Sequence, residues 1–276
     1  MSFTYKNRLV LGEESDVAVA LVTLNDPPLN LNSPASLREL WETLEKLARD
    51  PMVRVLVLTG AGGRTFCAGS DVSGCRETEG NPSGRIYTPE AAALNSLEFI
   101  GKPTICAVEG YCMGSGLELA CCCDIRIVSE KAVFSRPEIS LGLSPAGGGR
   151  CRLRDVVGPA WALQMMYFGE PIDAAEAYRI GLAGRIVPAG ATLAAALDMA
   201  EVLIDKSPDA LRAVKKEARR TQLCASEDNC LAGPKYGGDT ADYADCSSSS
   251  SDTKRSDLCC GESGRRPSAS LRTDNP

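Results

Sequence analysis

Short runs of β-branched and apolar residues, separated by helical patterns, constrain this sequence more than any other feature. VAVALVTLN (17–25), VRVLVLTG (53–60) and PTICAVEG (103–110) are such runs. Uninterrupted apolar runs of this length are typical of strands that are buried on both faces. The segment after Ser33 and Pro34 instead places its leucines at helical spacing. Strands that alternate with helices predict an α/β fold with a largely parallel sheet.

The composition of the chain changes near Gln222. Before this point, helices are predicted over 158–168, 173–180, 190–206 and 208–221, a helical subregion that contains one short strand, GRIVP. After it, large apolar residues are sparse and Ser, Asp, Gly and Cys dominate. Such a segment cannot bury enough apolar surface to offset its ordering entropy. We therefore expect one domain over 1–221 and a disordered tail over 222–276.

The residue types that are present limit the possible chemistry. Histidine is absent, which removes Ser-His-Asp and Cys-His catalysis and the commonest zinc ligand. Acid–base chemistry near neutral pH must then use carboxylates, Cys, Tyr or Lys. The net charge of -6 argues against a nucleic-acid partner. The 13 cysteines occur without a signal-peptide or membrane-spanning run, so we expect free thiols and a cytoplasmic location.

The segment GYCMGSGLELACCCD (110–124) allows three interpretations. A dinucleotide loop would have Leu119 where close helix–strand packing requires Gly or Ala. A metal or redox site would use three consecutive cysteines, which point about 100° apart on a helix and cannot all face one metal; packing in the core explains them. The third interpretation is an anion site made by backbone N–H groups at a helix N-terminus. A second small-residue turn, FCAGSD (66–71), would complete an oxyanion hole.

Two blocks of the sequence resemble the crotonase (enoyl-CoA hydratase/isomerase) superfamily, and most of all its enoyl-CoA hydratases. They are TFCAGSDV (65–72) and the longer segment from KPTICAVEG to SPAGGG (102–149), and the similarity extends in order and spacing over 15–221. The resemblance implies a spiral of ββα units followed by a helical C-terminal subregion. It also implies a coenzyme A thioester as substrate, no metal or redox cofactor, and a homo-oligomer (trimer or hexamer). The tail does not resemble the family, so assembly depends on whether the tail permits it.

The resemblance assigns roles to individual residues. The backbone N–H groups of Ser70 and Ser115 correspond to the two donors of the family's oxyanion hole. Glu118 and Glu138 correspond to the acid pair of the hydratases, in which Glu118 would activate water and Glu138 would exchange the proton at C2. Contacts to the acyl-CoA substrate are implied for Ala68, Gly69, Asp71, Val72 and Gly114.

The intact acid pair favours hydration of a 2-enoyl-CoA to a 3-hydroxyacyl-CoA. An enoyl-CoA isomerase or another crotonase-type reaction stays open, because a shared fold does not choose among chemistries. A non-catalytic acyl-CoA-binding protein is the alternative from outside the enzymes, since the divergent tail could leave binding without turnover. The preferred acyl chain depends on a pocket wall that the sequence does not define.

Overall fold

A computed structural model of the chain describes residues 4–10, 18–71, 89–142 and 149–224. Side chains are described within 18–71, 90–142 and 152–219. The expected disordered tail lies outside the described residues, except that the last helix continues to Cys224, a little beyond the predicted boundary at 221.

The described elements alternate between strands and helices along the chain. The strands are β1 (Thr4–Val10), β2 (Ala18–Leu24), β3 (Val53–Gly60), β4 (Thr65–Cys67), β5 (Thr104–Val108), β6 (Tyr111–Met113), β7 (Ile125–Ser129), β8 (Val133–Ser135), β9 (Ile172–Asp173) and β10 (Arg185–Val187). The helices are α1 (Pro34–Arg49), α2 (Pro89–Phe99), α3 (Ser115–Cys122), α4 (Gly149–Phe168), α5 (Ala174–Arg179), α6 (Thr192–Ile204) and α7 (Pro208–Cys224). A short 3₁₀ helix (Pro137–Leu141) precedes α4. Among the described helices, none is both long and apolar enough to cross a bilayer.

The strands form two sheets that the chain visits in turn. The larger sheet has the order β1-β2-β3-β5-β7-β10, and the smaller one has the order β4-β6-β8-β9. Three successive units each add one strand to both sheets, β3 with β4, β5 with β6, and β7 with β8, and a helix follows each pair. Within each sheet these strands are parallel. This repeated ββα winding confirms the predicted α/β fold and its spiral.

Apolar residues bury both faces of the larger sheet. One cluster joins alternate residues of the central strands, including Val55, Val57 and Ile105, to the apolar side of α6. The other cluster joins the opposite face to the smaller sheet and to α1–α4. Because both faces are covered, the strands need continuous apolar runs, as the sequence pattern indicated.

Several local predictions agree with the structure, and three differ. Ser33 caps α1 by accepting a hydrogen bond from the Ser36 N–H, and Pro34 occupies its first turn. The 3₁₀ helix within the RPEISLG segment (136–142) was not predicted. The helix predicted over 158–168 instead begins at Gly149 and breaks at Gly158, where φ is 79°. Strand β1 was not predicted.

The cysteines that the structure describes are core residues. Cys67, Cys106 and Cys112 are free and buried, as are the three consecutive cysteines at the end of α3. Burial raises the pKa of the Cys67 thiol to about 12, so this thiol stays protonated and unreactive at neutral pH. No cluster of metal-ligating side chains occurs within the described part of the chain. The packing interpretation of these cysteines is therefore confirmed.

Partly buried ion pairs attach α7 to the domain. Arg219 contacts Glu98 of α2 at 3.2 Å and Asp124, just after α3, at 3.2 Å. Lys215 contacts the other oxygen of Asp124 at 2.9 Å. These contacts fix where α7 packs on the domain, and each carboxylate is shared by two cations, Glu98 by Arg152 and Arg219 and Asp124 by Lys215 and Arg219.

Candidate active site

Two small-residue turns meet at one end of the smaller sheet. Strand β4 is followed by the turn of Ser70, and its parallel neighbour β6 is followed by the turn that opens α3 at Ser115. The Oγ atoms of Ser70 and Ser115 are 2.9 Å apart. A Cβ built on Gly114 would lie 3.6 Å from the Cα of Gly69. The two turns predicted from the sequence are therefore direct neighbours.

The backbone N–H groups of Ser70 and Ser115 point away from the main-chain partners of the two turns. Ser115 begins α3, so its N–H has no carbonyl one turn earlier to bind. Ser70 pairs with Asn32 in a parallel bridge in which Asn32 bonds to Gly69 and Asp71. That pairing directs the N–H of Ser70 away from the main chain of Asn32. Among the described residues, no acceptor bonds to either N–H.

Glycine is required where the helix meets the strand. A Cβ on Gly116 would lie 2.3 Å from the carbonyl oxygen of Cys67, which no real side chain tolerates. Gly114 has a φ of +54°, a conformation that favours glycine, and a Cβ there would lie 3.4 Å from Glu138 Oε1. The glycines thus allow α3 to start directly against β4 and keep the space beside Glu138 open.

The two glutamates predicted from the sequence lie on either side of a buried arginine. Glu118 is on the first turn of α3, and Glu138 is in the 3₁₀ helix that follows β8. Nη2 of Arg136 is 2.7 Å from Glu118 Oε1 and 3.4 Å from Glu138 Oε1. Nη1 of Arg136 donates to the carbonyl of Gly114 at 2.9 Å. One fully buried side chain therefore connects both carboxylates to the turn that opens α3.

Each carboxylate keeps one oxygen that no described residue binds. Four buried side-chain polar atoms have no hydrogen-bond partner in the described part of the chain: Glu118 Oε2, Glu138 Oε2, Arg136 Nε and Asn32 Oδ1. All four belong to this one site. Buried polar groups are nearly always hydrogen-bonded, so such a concentration indicates a place where a ligand or water completes the bonding.

Burial changes the acidity of the site. Burial raises the pKa of Glu118 to about 7, and the nearby guanidinium of Arg136 opposes this rise. Glu90, on the first turn of α2, is a third carboxyl group close enough to interact electrostatically with Arg136, Arg152 and Glu138. Burial raises its pKa also. A carboxyl group with a pKa near 7 can both accept and release a proton at neutral pH.

The structure brings most of the predicted site residues together. Ser70, Ser115, Glu118 and Glu138 share one site, with Gly69 and Gly114 between them. Ala68 and Asp71 flank the first turn and bond through their N–H groups to Leu29 and Asn32. Val72 lies outside the described residues.

Three polar residues of the site were not identified from the sequence. Arg136 and Glu90 resemble ordinary surface charges of a loop and a helix N-terminus, and Asn32 resembles a turn residue. Only their burial beside the glutamates and serines sets them apart, and burial of a single polar residue has no sequence signal.

Comparison with known proteins is consistent with this geometry. Residues 14–232 match the family model described as enoyl-CoA hydratase/isomerase. The chain is 35% identical to the short-chain-enoyl-CoA hydratase of Clostridium acetobutylicum over 219 residues, which cover 79% of this chain and 83% of that protein. It is 38% identical to the 2,3-dehydroadipyl-CoA hydratase of Escherichia coli over 208 residues, covering 75% and 80% respectively. The crystal structure of a probable enoyl-CoA hydratase/isomerase from Mycobacterium abscessus superposes with a TM-score of 0.70 at 31% identity, covering 81% of this chain and 83% of that one.

Proposed function

Since the chain belongs to the enoyl-CoA hydratase/isomerase family, we propose that it is a hydratase-type lyase that converts a 2-enoyl-CoA to a 3-hydroxyacyl-CoA. One observation supports this most: Arg136 holds one oxygen of Glu118 and lies 3.4 Å from one oxygen of Glu138, while the other oxygen of each is buried and has no partner among the described residues. Two free carboxylate oxygens can bind one water between them. Hydration needs such a pair, since one proton leaves water and another is added to carbon.

The N–H groups of Ser70 and Ser115 would form the oxyanion hole. As water adds to C3 of the substrate, negative charge develops on the thioester oxygen, and an enolate forms. Two fixed N–H donors stabilise that charge more than they stabilise the neutral thioester, which lowers the barrier. Loss of one such donor typically costs about 3 kcal/mol of transition-state stabilisation.

The two glutamates would divide the proton transfers. Oε2 of Glu118 accepts a proton from water as the water oxygen bonds to C3. The C2–C3 π electrons move towards the thioester oxygen, and Glu138 then donates its proton to C2 as the thioester carbonyl reforms. The sum is one water added across the double bond, and exchange with solvent resets both acids. These steps use the coenzyme A thioester of the substrate and, as the resemblance implies, no further cofactor.

The first test is turnover of crotonyl-CoA, followed as loss of absorbance of the conjugated enoyl thioester. Glu138→Gln and Glu118→Gln should each lower kcat by about 10²- to 10⁴-fold, because each removes one proton-transfer group. Glu201→Gln, at an exposed position of α6, is the matched control and should keep wild-type turnover. Near wild-type turnover of Glu138→Gln would refute the assignment.

Assays of the same purified protein distinguish a hydratase from an isomerase and from an acyl-CoA-binding protein. An isomerase would convert a 3-enoyl-CoA to the conjugated 2-enoyl isomer with one acid, so its activity would survive Glu118→Gln or Glu138→Gln. An acyl-CoA-binding protein would bind crotonyl-CoA saturably, as measured by calorimetry, without turnover of any chain length. Either result would replace the hydratase proposal.

We also propose that the chain forms a homo-oligomer. Leu163, Tyr167 and Phe168, near the end of α4, expose 42%, 68% and 66% of their surfaces. Large apolar side chains at this exposure are typical of interfaces between subunits. Sedimentation equilibrium should give a mass of three or six chains, and a monomer at micromolar concentration would contradict the proposal.

A further inference from the structure

Asn32 contacts both turns of the site with different parts of the residue. Its main-chain N–H donates to the carbonyl of Gly69 at 2.8 Å, and its carbonyl accepts from the N–H of Asp71 at 2.8 Å. Its side-chain Nδ2 donates to Ser115 Oγ at 2.9 Å. The main chain of Asn32 is thus bonded on either side of Ser70, while its side chain reaches the first residue of α3.

Ser115 Oγ is the meeting point of this network. It accepts a hydrogen bond from Asn32 Nδ2 and another from Ser70 Oγ, each at 2.9 Å. Both Asn32 and Ser115 are buried, with 2% and 6% of their surfaces exposed. The bond from Asn32 is buried, so water does not compete for it, whereas the bond from the exposed Ser70 is only partly buried.

Asn32 also differs from an ordinary structural asparagine. Its Oδ1 is buried and has no partner among the described residues. Asn30, two positions earlier, uses its whole amide: Nδ2 donates to the carbonyls of Ala61 and Thr65, and Oδ1 accepts from the N–H of Asp26. Asn30 therefore stabilises its own loop, whereas the side-chain Nδ2 of Asn32 donates to Ser115 at the start of α3.

We propose that Asn32 is a positioning residue that fixes the separation of the two oxyanion donors by binding the Ser70 turn through its main chain and Ser115 through its amide. The inference rests on the proposed function of the two N–H groups. Donors stabilise an oxyanion only when they are held at hydrogen-bond distance from the place where the charge develops. If the Asn32 amide is lost, the Ser70–Ser115 hydroxyl bond and the packing of α3 on β4 still join the two turns, but both N–H groups are then held less precisely.

Side-chain replacement isolates this role, because the main-chain bonds of Asn32 survive it. Asn32→Leu keeps the size and removes the amide, and Ser115→Ala removes the same bond from the other end. The two single variants and the double variant form a double-mutant cycle. Thr59→Val is the matched control: Thr59 Oγ1 donates one buried hydrogen bond, to the carbonyl of Ala107 at 3.0 Å, and it belongs to no part of the site.

We expect Asn32→Leu to lower kcat for crotonyl-CoA about tenfold with little change in KM, because misaimed donors lose transition-state binding more than substrate binding. Asn32→Leu should add nothing to Ser115→Ala, because Ser115→Ala already removes the bond from Asn32 together with the bond from Ser70. Thr59→Val should reduce the urea midpoint by a similar amount but leave kcat unchanged. If Asn32→Leu does not fold, Ser115→Ala alone must show the kcat loss.

A second readout does not need turnover. Acetoacetyl-CoA has an acidic C2 and can bind as its enolate, whose ultraviolet absorbance reports the charge on the thioester oxygen. Asn32→Leu should weaken this enolate signal about tenfold, and Thr59→Val should not. Equal kcat and enolate affinity in Asn32→Leu and wild type would overturn the Asn32 role alone. A wild-type protein that neither hydrates crotonyl-CoA nor binds the enolate would overturn the proposed function and, with it, this role.

Discussion

Replacing Arg136 with Gln should move the pH dependence of the reaction rather than simply reduce its rate. The Arg136 guanidinium is 2.7 Å from Glu118 Oε1 and lies in a buried site. Two unit charges about 4 Å apart interact by about 4 kcal/mol at an effective dielectric constant of 20. One pKa unit corresponds to about 1.4 kcal/mol, so this attraction could lower the pKa of Glu118 by as much as about 3 units.

The structure also gives the starting point and the sign of the change. In the wild type, burial raises the pKa of Glu118 to about 7 and Arg136 limits that rise. Glu90, from α2, raises the pKa of Glu118 further, and Arg152, from α4, lowers it. Both groups are unchanged in Arg136→Gln, so they do not contribute to the difference between the variant and the wild type. Without Arg136, the pKa should increase by about 1 to 3 units. At pH 7 the ionised fraction of Glu118, and with it kcat, should fall about fivefold to 500-fold.

The assay is kcat for crotonyl-CoA measured from pH 6 to pH 10. Arg136→Gln should recover much of its lost activity at the alkaline end, because the base form of Glu118 returns there. Arg126→Gln is the control, since Arg126 donates to the carbonyls of Leu182 and Cys123 and contacts no carboxylate of the pair. A loss by Arg136→Gln that is constant across the whole range would refute the electrostatic argument.

Three further changes test the packing around the site. Gly116→Ala should yield little folded protein, because its Cβ would overlap the carbonyl of Cys67 and α3 would have to move; expression and circular dichroism measure this. Arg219→Met should lower the free energy of unfolding in urea by about 1 to 3 kcal/mol, because it removes charged hydrogen bonds to Glu98 and Asp124, which keep Arg152 and Lys215 as partners; a loss below about 0.5 kcal/mol would contradict it. Lys102→Met removes two hydrogen bonds to carbonyls at the end of α1 and should lower the melting temperature by a few degrees without changing kcat.

Local sequence patterns predict the main strands and helices of this domain. The apolar runs of β3 and β5 predict buried parallel strands, because residues covered on both faces must all be apolar. Ser33 and Pro34 mark the start of α1, since the cap satisfies N–H groups that the helix leaves open. Features that depend on neighbours along the chain were therefore predictable.

Features that depend on distant neighbours were not. Arg136 lies two positions before Glu138 in sequence, but its partner Glu118 is 18 positions away, and only the pairing of β6 with β8 brings them together. The bond from Asn32 to Ser115 spans 83 positions. Resemblance to a family supplied the two glutamates and the two serines, because those positions belong to its motifs. It did not supply the residues that hold them.

The winding of the chain has a consequence for how the enzyme can vary. Each ββα unit places one residue of the proposed site at the same end of the smaller sheet. Ser70 follows β4, Ser115 follows β6 and Glu138 follows β8. The residues of the proposed site are thus separated by whole turns of the spiral. A longer connection at the opposite end of the strands would add residues to one ββα unit without moving the residue that follows its strand. A truncated chain that lacks the third unit would keep the two proposed oxyanion donors and lose Glu138.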